Sequence, residues 1–179
     1  DHYVAVHKPP RLLVHRSWLS TDEQFLLQQV RDRIGRRVYP VHRLDRATSG
    51  VIVFGFSADA ARRLQAAFQA RQVSKCYRAV VRGWIAEAGI VDHPLDDPEN
   101  AVGRRPAVTR YRPLARAELP FSVDRYPTAR YSLVEAEPLT GRRHQLRRHL
   151  KHLSHPVIGD TTHGKGAINR HYRAEYDLR

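Results

Sequence analysis

The stretch His42-Arg43-Leu44-Asp45-Arg46-Ala47-Thr48-Ser49-Gly50 runs directly into Val51-Ile52-Val53-Phe54, and its reading decides the fold. Thr48-Ser49-Gly50 is a turn signal, and the short continuous apolar run from Val51 to Phe56 suits a buried strand. Asp45 is thereby placed in a loop fixed to rigid structure, where catalytic groups are often found. Arg43 and Arg46 flank it in sequence, and an opposite charge within a few ångströms favours the ionised carboxylate. Asp45 is therefore expected to be an anion at neutral pH, able to act as a nucleophile or base and poor as a general acid. A lone Asp lacks the second carboxylate of most glycosidases. On spacing alone the same R-x-D-R pattern also reads as a solvated charge cluster.

Before this stretch, Val4-Ala5-Val6 reads as a short strand and Lys8-Pro9-Pro10 as a turn. Ser20-Thr21-Asp22-Glu23 predicts a helix start with a capping box from Ser20 to Glu23. Phe25, Leu26, Gln29, Val30 and Arg33 form its amphipathic stripe, and Gly35 ends it. After the stretch, Ser57 is an N-cap for a second helix, in which Ala60, Ala61, Leu64, Ala67 and Phe68 repeat at helical spacing. Tyr77 to Trp84 alternates as a strand. Arg130 to Glu137 alternates more cleanly, with Tyr131, Leu133 and either Val134 or Ala136 facing a core. Residues 92–106 carry Pro94, Pro98 and Pro106 and read as a loop. Thr140 caps a helix from Arg142 to about Leu153. With no internal repeat and no Gly/Ser-rich linker, this order predicts a single α+β domain over 1–179, a largely antiparallel mixed sheet with flanking helices.

Thirty-one Lys and Arg against eighteen Asp and Glu leave the 179-residue chain at +13, the electrostatic footprint of a protein that neutralises phosphates. Charge alone does not separate RNA from DNA. No run approaches the twenty apolar residues of a membrane span, and no basic-then-apolar signal opens the chain, so a soluble, cytoplasmic protein with no membrane partner is expected. Cys76 is the single cysteine, which excludes an internal disulfide and a multi-cysteine metal site. Between Lys75 and Tyr77 it reads as a buried structural thiol. His149 and His152 share a helical face near His144 and His155, but neither H-E-x-x-H nor a carboxylate at ligand spacing accompanies them. No glycine-rich phosphate loop occurs. Neither a metal nor a nucleotide cofactor is expected. The chain contains no Met and opens on Asp1, so its native start is expected to lie outside it.

The segment H-R-L-D-R-x-T-S-G resembles the signature of the RluA-type pseudouridine synthases. Further matches follow in order: Lys8-Pro9-Pro10 with Val14-His15, Lys75-Cys76-Tyr77, Thr140-Gly141-Arg142-Arg143-His144-Gln145-Leu146-Arg147, and His155-Pro156-Val157-Ile158-Gly159-Asp160. The resemblance implies a pseudouridine synthase catalytic-domain fold with an RNA cleft across the sheet, continuing past Arg179 into a strand-rich segment that this chain lacks. It implies an isomerase that uses no cofactor and no metal. Asp45 is then the catalytic residue, either attacking a carbon of the nucleoside or taking a ribose proton. Tyr77 packs against the target base and assists removal of the C5 proton. Arg147 pairs with the catalytic Asp, orienting it and holding it ionised. Arg43 helps displace the target nucleotide from its stack, and His42, Arg46, Arg142, His144 and Gln145 are further substrate-binding candidates.

From position alone, Tyr77 is a core or cross-strand tyrosine, and Arg142, Arg143 and Arg148 form an exposed basic helix face or a phosphate contact. Val14-His15-Arg16-Ser17-Trp18, Pro106-Ala107-Val108-Thr109 and Arg125-Tyr126-Pro127-Thr128 resemble the branch of the family that modifies uridine 65 of tRNA. The expected partner is therefore RNA, tRNA in particular, met by a monomer. A ribosomal RNA synthase of the same family and a catalytically silent RNA-binding module stay open. Against the latter, phosphate binding alone has no need of an acidic residue at the centre of a basic surface.

Overall fold

The structure is a computed structural model that describes residues 2–16, 21–96, 103–122, 126–164 and 166–177. The chain divides into two compact units, residues 1–73 and 74–179.

In the first unit, strands β1 (Tyr3–Lys8), β2 (Tyr39–Pro40) and β3 (Gly50–Gly55) form an antiparallel sheet in the order β1-β3-β2, with Tyr3 opposite Gly55 and Lys8 opposite Gly50. The apolar run expected to be wholly buried instead alternates. Ile52 and Phe54 are buried while Val51 faces solvent, as in a strand covered on one face. Helix α1 (Leu26–Ile34) starts later than the Ser20–Glu23 signal predicts. Ser20 itself lies outside the described residues. Phe25 is extended, bridges Leu13, and delivers Leu26 N–H and Leu27 N–H to the carbonyls of Leu13 and Val14 at 2.9 Å each. Those carbonyls satisfy amides that a helix leaves unpaired at its start, so the capping box is not needed. Gly35 ends the helix at φ 73°, the left-handed conformation that favours glycine. Helix α2 (Ala58–Gln69) is capped as predicted, Ser57 Oγ accepting from Ala60 N–H. It lies against the end of β3, where a Cβ on Gly55 would stand 2.7 Å from Ala61 N.

The second unit is built on β4 (Tyr77–Arg82), β5 (Gly89–Asp92), β8 (Val108–Leu119) and β9 (Ala129–Pro138), all antiparallel in the order β4-β9-β8-β5. The stretch 92–106, expected as a loop, instead holds the end of β5 and a small hairpin of β6 (Leu95–Asp96) and β7 (Arg104–Arg105); Pro98 lies outside the described residues. Strand β8 carried no clear signal because Pro113 interrupts it, and its register against β9 shifts between Pro113 and Ala115, a bulge that accommodates the proline. Strand β4 stops at Arg82, short of Trp84, where Gly83 turns to φ 82°.

Both faces of β9 are covered, which resolves its pattern. Val134 packs with Val81, Ile85 and Leu150 of α3 (Gln145–His152), whereas Ala129 and Tyr131 pack with Ile168 and Tyr172 of α4 (Gly166–Tyr176). Val134 and Ala136 are therefore both buried, and Leu133 is half-buried. Cys76 is exposed, correcting the expected buried thiol. Tyr77, Ala79 and Val81 alternate toward the covered face, so Cys76 has the opposite parity, with exposed Arg78 and Val80. Local desolvation and the Glu135 carboxylate raise its thiol pKa, keeping it protonated.

Candidate active site

The loop from Val41 to Gly50 is held in the first unit by backbone and side-chain anchors. Leu44 is buried, Asp45 half-buried, and Arg43 and Arg46 exposed. Thr48 N–H donates to Asp45 O at 3.0 Å, closing a turn over Asp45–Thr48 that starts three residues ahead of Thr48-Ser49-Gly50. Beneath it lies Lys8, fully buried, whose Nζ donates to the carbonyls of Pro9 (2.9 Å), Leu12 (2.7 Å) and Arg46 (3.1 Å). Three ammonium protons thus meet three carbonyls. Burial lowers the Lys8 pKa, and the charge of Asp45 opposes that shift.

Arg46 reaches the chain before α1. Its Nη2 donates to Asp22 Oδ1 at 2.9 Å and its Nε to Arg11 O at 3.4 Å, so it pins the loop to the segment before α1. His42 Nε2 accepts from Val53 N–H at 3.2 Å, and its ring stacks on Phe68 with centroids 4.7 Å apart.

In the second unit, Tyr77 opens β4 opposite Ala136 and is half-buried. Lys75 Nζ donates to Thr140 O at 3.2 Å, which brings the K-x-Y and T-G-R-R-H-Q-L-R motifs together. Thr140 is not the helix cap. His144 takes that position in the left-handed conformation at φ 54°, while Thr140 Oγ1 accepts from Val108 N–H and donates to Gln145 Oε1 at 2.7 Å. Gln145 Oε1 also accepts from Arg142 N–H, and its Nε2 donates to Val108 O and Thr109 Oγ1. Four partners saturate a buried amide, so Gln145, singled out as a substrate contact, is turned inward as scaffold. Buried His149 continues the network, with Nδ1 2.9 Å from Thr109 Oγ1 and Nε2 3.0 Å from His93 O. Burial lowers its pKa.

Arg147 extends its guanidinium to Asp160, Nη2 to Oδ1 at 2.6 Å and Nε to Oδ2 at 2.9 Å, the bidentate geometry that fixes a guanidinium plane. Asp160 Oδ1 also accepts the backbone N–H groups of Thr162 and His163 at 3.0 Å each. Burial would raise this carboxyl, but Arg147 and the two amides prevail and hold it at about 2. His144 Nδ1 lies 3.1 Å from His163 Nε2. Arg142 Nε donates to Pro106 O and Arg148 Nη1 to Asp96 O. Lys8 and Asp160 were legible only as members of quoted motifs, and nothing local marked His163. Their roles arise from partners distant in sequence.

His42, Arg43, Asp45 and Arg46 thus lie together in the first unit, and Tyr77, Arg142, His144, Gln145 and Arg147 in the second. Among the described residues, no three His, Cys, Asp or Glu side chains cluster as metal ligands, and no helix is long and apolar enough to cross a membrane.

Comparison with solved structures gives the class first. The human protein RNA Pseudouridylate Synthase Domain Containing 4 superposes with a TM-score of 0.71 at 26% identity, over 92% of this chain and 67% of that one. Human RNA Pseudouridylate Synthase Domain Containing 1 does so with 0.68 at 29% identity, over 87% and 70%. The architecture is that of a pseudouridylate synthase domain. The RNA pseudouridylate synthase family profile matches residues 2–152, and the chain belongs to that family of isomerases. Among curated relatives, tRNA pseudouridine synthase C of Vibrio vulnificus is 48% identical over 99% of this chain and 76% of its own length. Its namesake in Yersinia pestis is 49% identical over 95% and 70%.

Proposed function

We propose that the chain converts a uridine of tRNA, uridine 65, to pseudouridine in the cytoplasm. The observation that carries this reading is the 48% identity, over 99% of the chain, to a relative named for tRNA. The reaction breaks the N1–C1′ glycosidic bond, joins C5 to C1′, releases the C5 proton and places a proton on N1, so no electron is gained or lost. Asp45 starts it from its anchored loop, as nucleophile or base. Arg43, exposed two residues earlier, helps displace the target nucleotide, an exchange that proteins support with arginine and aromatic faces. Tyr77 offers an aromatic face to the extruded uracil, and Arg147 a guanidinium whose plane Asp160 fixes. Arg46, Arg142 and His144 are further substrate-binding candidates, with charge or ring nitrogens suited to phosphate or ribose.

The test is incubation with unmodified tRNA and ribosomal RNA transcripts, followed by mapping of pseudouridine at single-nucleotide resolution. Product at position 65 of tRNA is expected, and Asp45→Asn should remove it, since a neutral amide neither attacks nor accepts the proton. Product in ribosomal RNA alone overturns the substrate, and no product in either RNA favours a silent binding module.

A further inference from the structure

We infer that His42 is a positioning residue for the Asp45 loop, its imidazole substituting for a strand carbonyl where β2 ends. The inference rests on the proposed role of Asp45. Strand β2 contributes only Tyr39 and Pro40, opposite Gly55 and Phe54. Continued by one residue, the register sets Val41 opposite Val53, and half of that pair forms: Val41 N–H donates to Val53 O at 3.2 Å. In a regular antiparallel pair the return bond would run from Val53 N–H to Val41 O. Instead Val53 N–H points to His42 Nε2 at 3.2 Å. A backbone amide can only donate, so Nε2 presents its lone pair there and is turned into the sheet. The ring is fixed from its face by Phe68 of α2, at an interplanar angle of 24°.

The position of this contact gives it consequence. His42 lies between buried Val41 and Leu44 and three residues before Asp45. The side chain closes the ladder at the point where the main chain leaves it, and so fixes the direction in which the loop departs. Lys8 on Arg46 O and the Asp45–Thr48 turn fix the far side. Asp45 is thereby held from both ends. Small displacements of a reacting group cost turnover far more than affinity.

Two substitutions separate the acceptor from the ring. His42→Phe keeps a face for Phe68 and removes the acceptor, whereas His42→Gln can set an amide oxygen near the place of Nε2. The measurements are kcat and KM on a tRNA transcript, and amide hydrogen exchange at Val53 and across 43–49. For His42→Phe, kcat should fall about 10- to 100-fold with KM within about twofold, and Val53 should exchange faster. His42→Gln should stay within about threefold of the parent in both. A raised KM with unchanged kcat in His42→Phe would make His42 a substrate contact and overturn the inference. So would equal loss in the two variants, or unaltered protection at Val53. If His42→Phe does not fold, Phe68→Leu, which loosens the ring from below, should lower kcat at constant KM, and unchanged kcat there overturns the inference. Full activity in Asp45→Asn removes the reading of Asp45, while exchange at Val53 still decides what His42 holds.

Discussion

The Asp45 loop and the Gln145 network are built on opposite principles. In the first unit, a half-buried carboxylate stands on a loop held through its neighbours: Lys8 takes the Arg46 carbonyl, His42 the Val53 amide, and Arg46 reaches to Asp22. In the second, Gln145, Thr109, Thr140 and His149 are buried, and each hydrogen-bonds within the protein. On the proposed assignment, the group that reacts stands on a loop whose surroundings are fixed. A group that must organise strands and a helix is saturated and closed off, because a buried polar atom without a partner costs more than a hydrogen bond returns. Motif residues therefore divide by environment, and Gln145 belongs with the scaffold although it stands two residues from Arg147.

The sharpest break in that comparison is Asp45→Asn against Asp160→Asn. The first should lower turnover about 1000-fold or more while leaving the urea midpoint within about 0.5 kcal/mol of the parent. The second should destabilise by about 3 kcal/mol, because it breaks a bidentate ion pair at a buried carboxylate; the Asp160 side chain is 2% exposed and that of Arg147 22%. If Asp45→Asn unfolds the protein as readily, the loop is scaffold and the contrast fails.

Next in size is Gln145→Ala, which orphans donors and acceptors on β8 and in the segment before α3. A loss of about 2 kcal/mol is expected in chemical denaturation, and a neutral result would move Gln145 to the substrate side. The pH dependence sharpens the same point. Burial lowers the pKa of His149 and of His163, so the unfolded chain binds their protons first. Stability should be full above the unfolded histidine value, near 6.5, and should fall as pH drops through it. Asp160, held at about 2 in the folded state, adds a further loss as pH falls from about 4 toward 2. Thermal unfolding from pH 8 to pH 3 checks both limbs, and a flat profile between 7 and 5 would mean that His149 charges without cost. Smallest is Ser57→Ala, which removes the α2 cap and should cost about 1 kcal/mol, read as a shifted midpoint with unchanged turnover.

Several elements were legible because their causes are local. The Ser57 cap, the Gly35 stop and the alternation of β9 each follow from a few adjacent residues. The start of α1 was not, because Leu13 and Val14 supply the carbonyls that a capping box would otherwise replace. Strand β8 was hidden by Pro113 and by arginines on its open face, and Cys76 by a one-residue question of parity.

By itself, then, the sequence determined the chemical character of the molecule: an excess of positive charge, an aspartate between arginines entering a strand, and ordered motifs that resemble a family of RNA isomerases. Those are properties of composition and adjacency, and they survive without coordinates. Only the tertiary structure decided which polar residues face inward. Gln145 finds Val108 and Thr109, Lys8 finds Arg46, and Arg147 finds Asp160 across separations that no local pattern encodes. Burial makes each of those pairings obligatory, and burial is set by which strands and helices happen to meet.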